Sequence, residues 1–502
     1  MPMQARTRPK IELYFRLNIV QNFVKLKIVH KLRAKITVGI IFVKLLLVIM
    51  RYFIKTIILS TLIGLSNWCV SQSIEWETLI GGNKAEFSNE VIATKDGGCI
   101  IVGYTQSSAN GDISKENKGF YAKNDGIITA DYWIVKIDAK GNKEWDKNYG
   151  GTDDDYAFSL IPIKEGGYFI GGYTRSTRSK NSDVQHESKG DFDYWIIKID
   201  ANGKIAWENN FGGKDNDYLN VMIQLKDGGL LCIGRSTSSA SGDVSAKNEG
   251  GYDYWMLKLD TQGNKVWEKS IASTDWDGYA NISAAPTKDG GFIIADHANR
   301  KDGKRTEAEK PDHDVLLIKC DKDGNIEWQK TYGGMGEETA SAILVTGKGY
   351  IVVGTTTSSK NGDISLQGNG EEDWWIFAVD NKGNKQWDKV YGGQKKDFAT
   401  AASISDDGKN IFVGGWTTSS LSIPDVSGKN EGGADYLIMK LDATGNKIWE
   451  RMLGGSDEDK VCGIVATEDK GCIVVGNTYS SESGAVKSKN KGSQDIWVVK
   501  LK

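Results

Sequence analysis

The sequence predicts an all-β protein, a seven-bladed β-propeller of four-stranded blades in which the N-terminal strand completes the last blade. Three observations lead to this fold class: a tryptophan element that recurs seven times, an aspartate-opened element that also recurs seven times, and the order of the two elements at the ends of the array. The composition agrees, because 59 Gly, 16 Trp and 19 Tyr beside only 6 Pro are typical of many short strands joined by tight turns.

The repeated unit is about 60 residues long, which indicates a repeat architecture. The tryptophan stands in contexts such as KEWDKNYGG, and the aspartate opens segments such as DYWIIKID. We interpret both residues as structural, holding the blades. The tryptophans are Trp76, Trp145, Trp207, Trp267, Trp328, Trp387 and Trp449. The aspartates are Asp131, Asp193, Asp253, Asp314, Asp373, Asp435 and Asp495.

Each unit contains four strand candidates, which in the second unit are Phe158–Ile163, Tyr168–Thr174, Tyr194–Ile199 and Ile205–Asn210. Their alternation and their β-branched and aromatic content favour strands over helices. Four strands in each repeat are typical of a propeller blade. A solenoid is the alternative, but its repeats usually run to about 20–45 residues.

The two ends of the array predict how the ring closes. The first repeated element, Ile74 to Ile80, is a tryptophan strand alone, and the last, Ile496 to Lys502, is an aspartate-opened strand without its tryptophan strand. Pairing the first element with the last makes seven complete blades and leaves no free sheet edge at the seam. The propeller is therefore expected to span residues 74–502.

The segment before the repeats is predicted to direct export. Residues 50–73 place Arg51 and Lys55 around the start of an apolar stretch and small polar residues after it, the order of a secretory signal peptide. A membrane anchor and lipidation at Cys69 are the alternatives, and residues 1–49 are interpreted as an upstream extension of the reading frame. We expect a secreted or cell-surface protein, in the periplasm or on the outer membrane, with no stable membrane span after signal cleavage.

Charge and cysteine usage exclude several classes of function. Residues 1–72 hold 12 Lys and Arg and one acid, so the remaining body carries a net charge of −14. An acidic body repels phosphate backbones, and nucleic acid is therefore not an expected partner. No CxxC, P-loop or HExxH motif occurs, and neither a metal nor a cofactor is expected. Cys462 and Cys472 flank one hairpin and either pair or act as small apolar residues.

Acidic residues recur at fixed places in the repeat. Because they repeat in every unit, we interpret them as turn caps or acceptors of backbone N–H groups; a carboxylate ring that binds a cation or a basic ligand is the alternative. A Gly-Asp loop at Asp112, Asp243 and Asp363, with Asp183 and Asp425 in related places, is interpreted as an Asx-type turn, with calcium binding as the alternative. The acids four residues after each Gly-Gly pair or its equivalent are Glu86, Asp155, Asp217, Asp277, Glu338, Asp397 and Asp459.

Departures from the repeat supply the candidate ligand-binding residues. The short turns are expected on one face of the ring and the long connections on the other, which we call the long-looped face, where binding loops are expected. The first unit has an extended long connection with aromatic and amide side chains, and the fourth has a charged long connection with two histidines. The candidates are Phe120, Tyr121, Asn124, Asp125, His297 and His313.

The run from Ile137 to Trp145, [IV]D-x-x-G-N-x-x-W, resembles the tryptophan-docking element of PQQ-type propellers. The whole unit is similar to the repeat arrays of secreted bacterial propeller proteins. The resemblance implies architecture, but quinone binding is not carried over, since a vicinal Cys-Cys pair and an eighth blade are lacking. We expect an exported, non-enzymatic binding module or scaffold for a glycan or a protein. An envelope assembly scaffold and a polysaccharide-active enzyme are the alternatives.

Overall fold

The computed structural model describes residues 73–119, 129–180, 182–248, 250–271, 282–299, 313–420 and 429–502. These residues form 28 strands in seven four-stranded antiparallel sheets. No helix within them is long and apolar enough to cross a membrane. The predicted all-β fold of seven four-stranded blades is confirmed.

The strands follow one another in the order inner, second, third and outer strand of each blade. The strands are β1 (Ile74–Ile80), β2 (Glu86–Ala93), β3 (Cys99–Thr105), β4 (Asp131–Ile137), β5 (Lys143–Tyr149), β6 (Asp155–Pro162), β7 (Tyr168–Thr174), β8 (Asp193–Ile199), β9 (Ile205–Phe211), β10 (Asp217–Gln224), β11 (Leu230–Ser236), β12 (Asp253–Leu259), β13 (Lys265–Ile271), β14 (Ser283–Pro286), β15 (Phe292–Asn299), β16 (His313–Cys320), β17 (Ile326–Tyr332), β18 (Glu338–Val345), β19 (Gly349–Thr356), β20 (Asp373–Asp380), β21 (Lys385–Tyr391), β22 (Asp397–Ile404), β23 (Asn410–Thr417), β24 (Asp435–Asp442), β25 (Lys447–Leu453), β26 (Asp459–Ala466), β27 (Cys472–Thr478) and β28 (Asp495–Leu501).

The ring closes as the ends of the repeat array predict. The last sheet has the order β1-β28-β27-β26, so the first strand of the chain is the outer strand of the seventh blade. Blades one to six are β2–β5, β6–β9, β10–β13, β14–β17, β18–β21 and β22–β25. Two backbone hydrogen bonds join the ends of this seam, Ser73 N–H to Lys502 O at 3.3 Å and Lys502 N–H to Ser73 O at 3.1 Å.

The hydrophobic core lies between the blades. Each inner strand contacts the inner strands of both neighbouring blades. Seven clusters of buried apolar side chains fill the seven junctions between blades. The junction of blades one and two, for example, packs Tyr132 and Ile134 against Trp195 and Ile197. Because every blade buries both faces, the second and third strands are apolar over most of their length.

The inner strands begin earlier than alternation alone predicts. In the second blade the inner strand starts at Asp155 rather than Phe158. The Asp155 N–H donates to Ala130 O at 2.7 Å, which ties the strand start to the preceding blade. The register then shifts between Ala157 and Ser159, a bulge that hides the two-residue period in the sequence.

Candidate functional site

The two faces of the ring differ in how much chain they carry. The first hairpin turn of each blade and the turn between the third and outer strands are tight and fall on one face. The long connection between the second and third strands and the Gly-Gly link to the next blade fall on the other, the long-looped face. Asymmetric features on that face are therefore the candidates for a binding site.

The repeated tryptophans lie at the tight-turn side and dock onto the next blade. Trp76 donates its indole N–H to Ala139 O at 2.9 Å. Its ring lies so close to Gly141, which has a φ of +85, that a side chain at this position would meet the indole. Trp207, Trp267, Trp328 and Trp387 lie against Gly263, Gly324, Gly383 and Gly445 in the same way. Trp145 and Trp449 pack in the apolar junctions of their blades.

The aspartates that open the third strands are buried and bind backbone. The Asp131 carboxylate accepts the Lys118 N–H at 2.8 Å, and the Asp495 carboxylate accepts the Lys491 N–H at 2.8 Å. The same contact is made to Asp193, Asp373 and Asp435. Asp253 and Asp314 are buried as well. Burial raises the pKa of Asp131 to about 7 and that of Asp495 to about 6.

The acids after the Gly-Gly pairs accept hydrogen bonds at the corner between blades, by which we mean the Gly-Gly link from one blade to the next. Asp155 accepts the Gly151 N–H at 2.7 Å and the Ser176 hydroxyl at 3.0 Å. The second Gly of the pair donates in the same way to Glu86, Asp217, Glu338, Asp397 and Asp459. Asp277 lies outside the described residues. At these six positions the carboxylates are used inside the fold and are not exposed to a ligand.

The Gly-Asp loops clamp the same corner. Asp112 donates its N–H to Gly81 O at 2.9 Å, and its carboxylate accepts the Gly81 N–H at 2.9 Å. Lys491 of the seventh blade adds a bond to Asp112 at 2.5 Å. Asp183, Asp243 and Asp363 repeat the backbone clamp, whereas Asp425 lies outside the described residues. Within the described ranges no three His, Cys, Asp or Glu are grouped to hold a metal ion.

Aromatic side chains run across the first three blades on the long-looped face. Tyr104 contacts Tyr156 of the next blade at 4.7 Å between ring centres, and Tyr173 contacts Tyr218 of the third blade at 4.9 Å. Tyr156 and Tyr173 pair within the second blade at 5.4 Å. All are half-buried and keep part of each ring accessible. This aromatic arc comprises Phe87, Tyr104, Tyr156, Tyr173, Phe192, Tyr218 and Tyr252.

The arc is not a feature of every blade. In the fifth blade the same positions hold Thr339 and Thr355. The sixth blade has a separate pair, Phe398 stacked on Trp416 at 4.4 Å, with the Lys460 ammonium 5.1 Å from the Trp416 ring centre. Because a residue needed only for folding would recur in all blades, this uneven distribution points to a role beyond folding.

A buried polar cluster lies where the third and fourth blades meet. Arg235 donates to Asp296 at 2.7 Å, and the Tyr254 hydroxyl donates to the same carboxylate oxygen at 2.7 Å. Arg235 is 7% exposed and Asp296 1%. The register position of Asp296 holds glycine in the other six blades, at Gly103, Gly172, Gly234, Gly354, Gly415 and Gly476. Blade four thus carries a carboxylate at a position where the other blades have no side chain.

The predicted ligand-binding residues fall in two groups. His297 and His313 lie together at the ends of β15 and β16, with their ring centres 5.3 Å apart. Phe120, Tyr121, Asn124 and Asp125 lie outside the described residues, so their role stays a prediction. Sequence reasoning missed the aromatic arc and the Arg235–Asp296 pair. Comparing equivalent repeat positions would have found Asp296, because it replaces a glycine.

The five cysteines that the structure describes form no disulfide. Cys99, Cys232, Cys320, Cys462 and Cys472 are free thiols, and four of the five are buried, the exception being Cys462. Of the two alternatives for Cys462 and Cys472, the structure supports unpaired thiols. Desolvation of the half-buried Cys462 thiol raises its pKa to about 11, which keeps the thiol protonated near neutral pH.

The fold and the uneven long-looped face define a seven-bladed β-propeller with the form of a binding or scaffold module. No family model matches the chain. Over 239 residues the chain is 26% identical to the "Regulatory protein FlaEY" of Caulobacter vibrioides, a match that covers 44% of this chain and 24% of that protein. The matched part is thus about a quarter of the curated relative.

Solved structures with a similar fold come from bacteria and fungi. A protein of unknown function from Dyadobacter fermentans matches with a TM-score of 0.42 and 12% identity, over 86% of this chain and 99% of that chain. Sqt1 from Chaetomium thermophilum matches with a TM-score of 0.39 and 10% identity, over 86% and 99%. The Pan2 WD40 domain of Neurospora crassa matches with a TM-score of 0.37 and 8% identity, over 68% and 88%.

Proposed function

We propose that the protein is an exported binding module that holds a segment of a partner protein on its long-looped face, at the aromatic arc. The arc is the observation that carries the proposal. Tyrosine, tryptophan and arginine dominate the energetics of protein interfaces because they combine a large apolar area with polar tips. The described part of this face brings aromatic residues together across the first three blades, and the fifth blade lacks them.

Accessible apolar side chains extend the same face. Met335 is 63% exposed in the Gly-Gly link of the fourth and fifth blades, and Leu366 and Tyr479 are exposed in long connections. The arc itself lies at strand ends, so its side chains are held before a partner arrives. Binding to a preformed surface loses less conformational entropy than ordering a loop. The match to a regulatory protein agrees with a role that works through a partner.

Export rests on the segment before the propeller. The signal-peptide order of residues 50–73 supports a secreted or cell-surface location, and the docking of Trp76 on Gly141 supports the kinship to PQQ-type repeats. The sequence lacks the vicinal cysteines of the quinone enzymes. The repeated buried carboxylates already accept hydrogen bonds from backbone N–H groups. A binding role is therefore favoured over enzymatic chemistry at the repeated acids.

The proposal is tested by partner capture with matched variants. The immobilised full chain is incubated with envelope extract of its host, bound proteins are quantified by mass spectrometry, and the affinity of the purified partner is then measured. The arc variant combines Tyr156→Ala and Tyr218→Ala. The control is Lys322→Ala, an exposed lysine in a tight turn on the opposite face.

We expect at least about tenfold weaker partner binding for the arc variant and no change for Lys322→Ala, since hot-spot truncations cost about 2 kcal/mol or more. A thermal melt of each variant separates lost binding from lost folding. A partner that binds the folded arc variant as tightly as the native chain would refute the proposal. A glycan array run in parallel, with binding lost in the arc variant only, would assign the arc to a carbohydrate ligand instead.

A further inference from the structure

The third strands carry a repeated lysine near the tight-turn face, the face of the ring that holds the short turns. The lysines are Lys136, Lys198, Lys258, Lys319, Lys440 and Lys500, and blade five has Ala378 instead. In blades one, three, four and seven, an aspartate of the first hairpin turn forms an ion pair with the lysine, with 2.5–3.1 Å between nitrogen and oxygen. A glutamate of the outer strand, Glu144 in blade one and Glu327 in blade four, adds a second carboxylate. In these blades the repeat therefore neutralises the ammonium from within.

In blade six this lysine, Lys440, has neither carboxylate. Ile448 occupies the position of the outer-strand glutamate and is 48% exposed. The first hairpin turn of this blade is one residue longer than the turns of the four ion-paired blades, because its closing hydrogen bond joins residues five apart rather than four. Asp407 of the longer turn pairs with Lys409 instead, at 3.3 Å. Among the described residues, Lys440 Nζ therefore has a hydrogen bond to Lys470 O at 3.0 Å and no ion pair.

A second lysine replaces a glycine at this contact. Lys470 lies in the first hairpin turn of blade seven and has a φ of +71. The equivalent residues Gly97, Gly228 and Gly290 have φ values of +86, +83 and +95. A side chain in this left-handed conformation costs stability that glycine avoids. Blade seven thus accepts a strained residue, and that residue places a second positive charge next to Lys440.

The surroundings of Lys440 favour its neutral amine. The side chain is half-buried and lies over Phe412, with 5.0 Å between Nζ and the ring centre. Desolvation lowers the pKa of Lys440 and the Lys470 ammonium lowers it further, whereas Cys472 and Asp407 oppose the change. A neutral amine keeps two N–H groups and gains a lone pair, so it can still donate to Lys470 O. A carboxylate partner would instead hold the third proton on the nitrogen.

We propose that Lys440 is an activated amine that forms a Schiff base with an aldehyde or ketone from outside the chain. The nitrogen adds to the carbonyl carbon, a C=N bond forms, and the carbonyl oxygen leaves as water with both protons of the neutral amine. The step needs no oxidant or reductant. Lysines become nucleophiles for carbonyl compounds where they are desolvated or lie beside another cation, and Lys440 meets both conditions. Ile448, in the bulge opposite Lys440, adds an exposed apolar contact for the carbon skeleton of the compound.

Blade two shows that packing alone does not explain this arrangement. Lys198 also lies over a phenylalanine, Phe169, with 5.3 Å between Nζ and the ring centre, and has no ion pair within the part of the chain that the structure describes. The first hairpin turn of the following blade nevertheless keeps Gly228. A phenylalanine therefore accommodates the lysine without a strained neighbour, and Lys470 is not needed for folding. The proposed site lies on the tight-turn face, so it is independent of the partner binding proposed at the aromatic arc.

The experiment is reductive labelling of the full chain with propanal and cyanoborohydride near neutral pH. Propanal condenses with the amine, the reductant traps the imine, and peptide mass spectrometry gives the rate at each lysine. We expect Lys440 to be labelled at least about fivefold faster than Lys198, because a larger neutral fraction speeds attack on the carbonyl. The rate at Lys440 should also level off at a lower pH than the rate at Lys198. Lys198 is the internal control, since it has the same phenylalanine contact and no ion pair among the described residues.

Two variants restore residues of the other blades. Lys470→Gly removes the second charge, and Ile448→Glu returns the carboxylate of blades one and four. Each should lower the labelling rate at Lys440 at least about threefold, because the ammonium is then favoured, and should leave Lys198 unchanged. The matched control is Val266→Glu, since Val266 holds the same position in blade three and is 55% exposed. This control should not alter the rate at Lys440.

Thermal melts establish that each variant is folded before its rates are compared. Equal rates at Lys440 and Lys198 in the native chain would overturn the proposal, as would a Lys440 rate that neither restoring variant lowers. If Ile448→Glu fails to fold, Lys470→Gly decides by the same criteria, because it introduces the glycine that the repeat has at this position.

Discussion

The indole N–H of Trp497 donates to the carboxylate of Glu77 at 2.8 Å, although 420 residues separate the two in the chain. Within the first blade the same bond joins Trp133 to Asp146, only 13 residues apart, at 3.1 Å. The seam of the ring thus repeats a contact that is local in blades one, two, three and five. The ends of the propeller are held by the specific chemistry of the repeat as well as by the strand ladder.

The seam bond should contribute measurably to stability. Glu77→Ala leaves the buried indole of Trp497 without its acceptor, and we expect the free energy of unfolding to fall by about 1–3 kcal/mol. Urea denaturation followed by tryptophan fluorescence measures the change. Glu75→Ala, in the same strand and 3.8 Å from the Lys500 ammonium, is the control and should cost less. Equal losses for the two variants would contradict a specific role for the bond.

The first glycine of each Gly-Gly pair should resist substitution because of its neighbours rather than its backbone angles. A Cβ at Gly150 would lie 2.5 Å from Asp131 Oδ1 and 2.8 Å from Asp155 Oδ2. We expect Gly150→Ala to lower the free energy of unfolding by about 1–3 kcal/mol, the usual cost of overpacking. Gly347→Ala, which would meet only the flexible end of Lys288, should stay within about 0.5 kcal/mol. Thermal and urea melts of both variants test this, and a neutral Gly150→Ala would show that the corner relaxes.

The buried acids make stability depend on pH. Burial raises the pKa of Asp131 to about 7 and those of Asp217 and Asp495 to about 6, above the value of about 3.9 for an unfolded aspartate. The folded protein therefore binds more protons than the unfolded chain between about pH 4 and 7, and its stability falls as pH rises through that window.

We expect a higher urea midpoint at pH 5 than at pH 7.5, with a smaller difference in Asp131→Asn. Below about pH 4 stability should fall again, since bonds from groups such as Ser405 lower the pKa of Asp407 to about 2. Protonation removes that contribution between the unfolded and folded pKa values. A flat profile from pH 5 to 7.5, or a midpoint that rises across it, would contradict the assignment.

The Arg235–Asp296 pair should be strongly coupled. Asp296→Gly restores the residue of the other blades but takes from the buried Arg235 a carboxylate at 2.7 Å. We expect a loss of about 3–5 kcal/mol, the cost of breaking a buried ion pair from one side. Adding Arg235→Tyr, which copies the residue at this position in blade two, should recover most of the loss. A double-mutant cycle measures the coupling, and additive losses would exclude it.

The ring could be predicted because the same sequence pattern recurs in every blade. Seven copies of one pattern fix the strands, and the unpaired elements at Ile74 and Ile496 fix the closure. The aromatic arc could not be predicted, since Tyr104 and Tyr156 read as ordinary strand residues until the register between blades brings their rings to 4.7 Å. Asp296 was visible as a departure, but only the packing shows that it meets an arginine from the preceding blade.

The pairing of the first strand with the last also delays the completion of folding during synthesis. Among the described strands of the ring, Ile74–Ile80 is synthesised first and its partner Asp495–Leu501 last. At about 5–20 residues per second, ribosomes need roughly 20–80 s between the two. Throughout that interval the first strand has no native partner, and the ring stays open at the seam. The ring can therefore close only after the strand Asp495–Leu501 has been synthesised, and any factor that shields the first strand acts before that point.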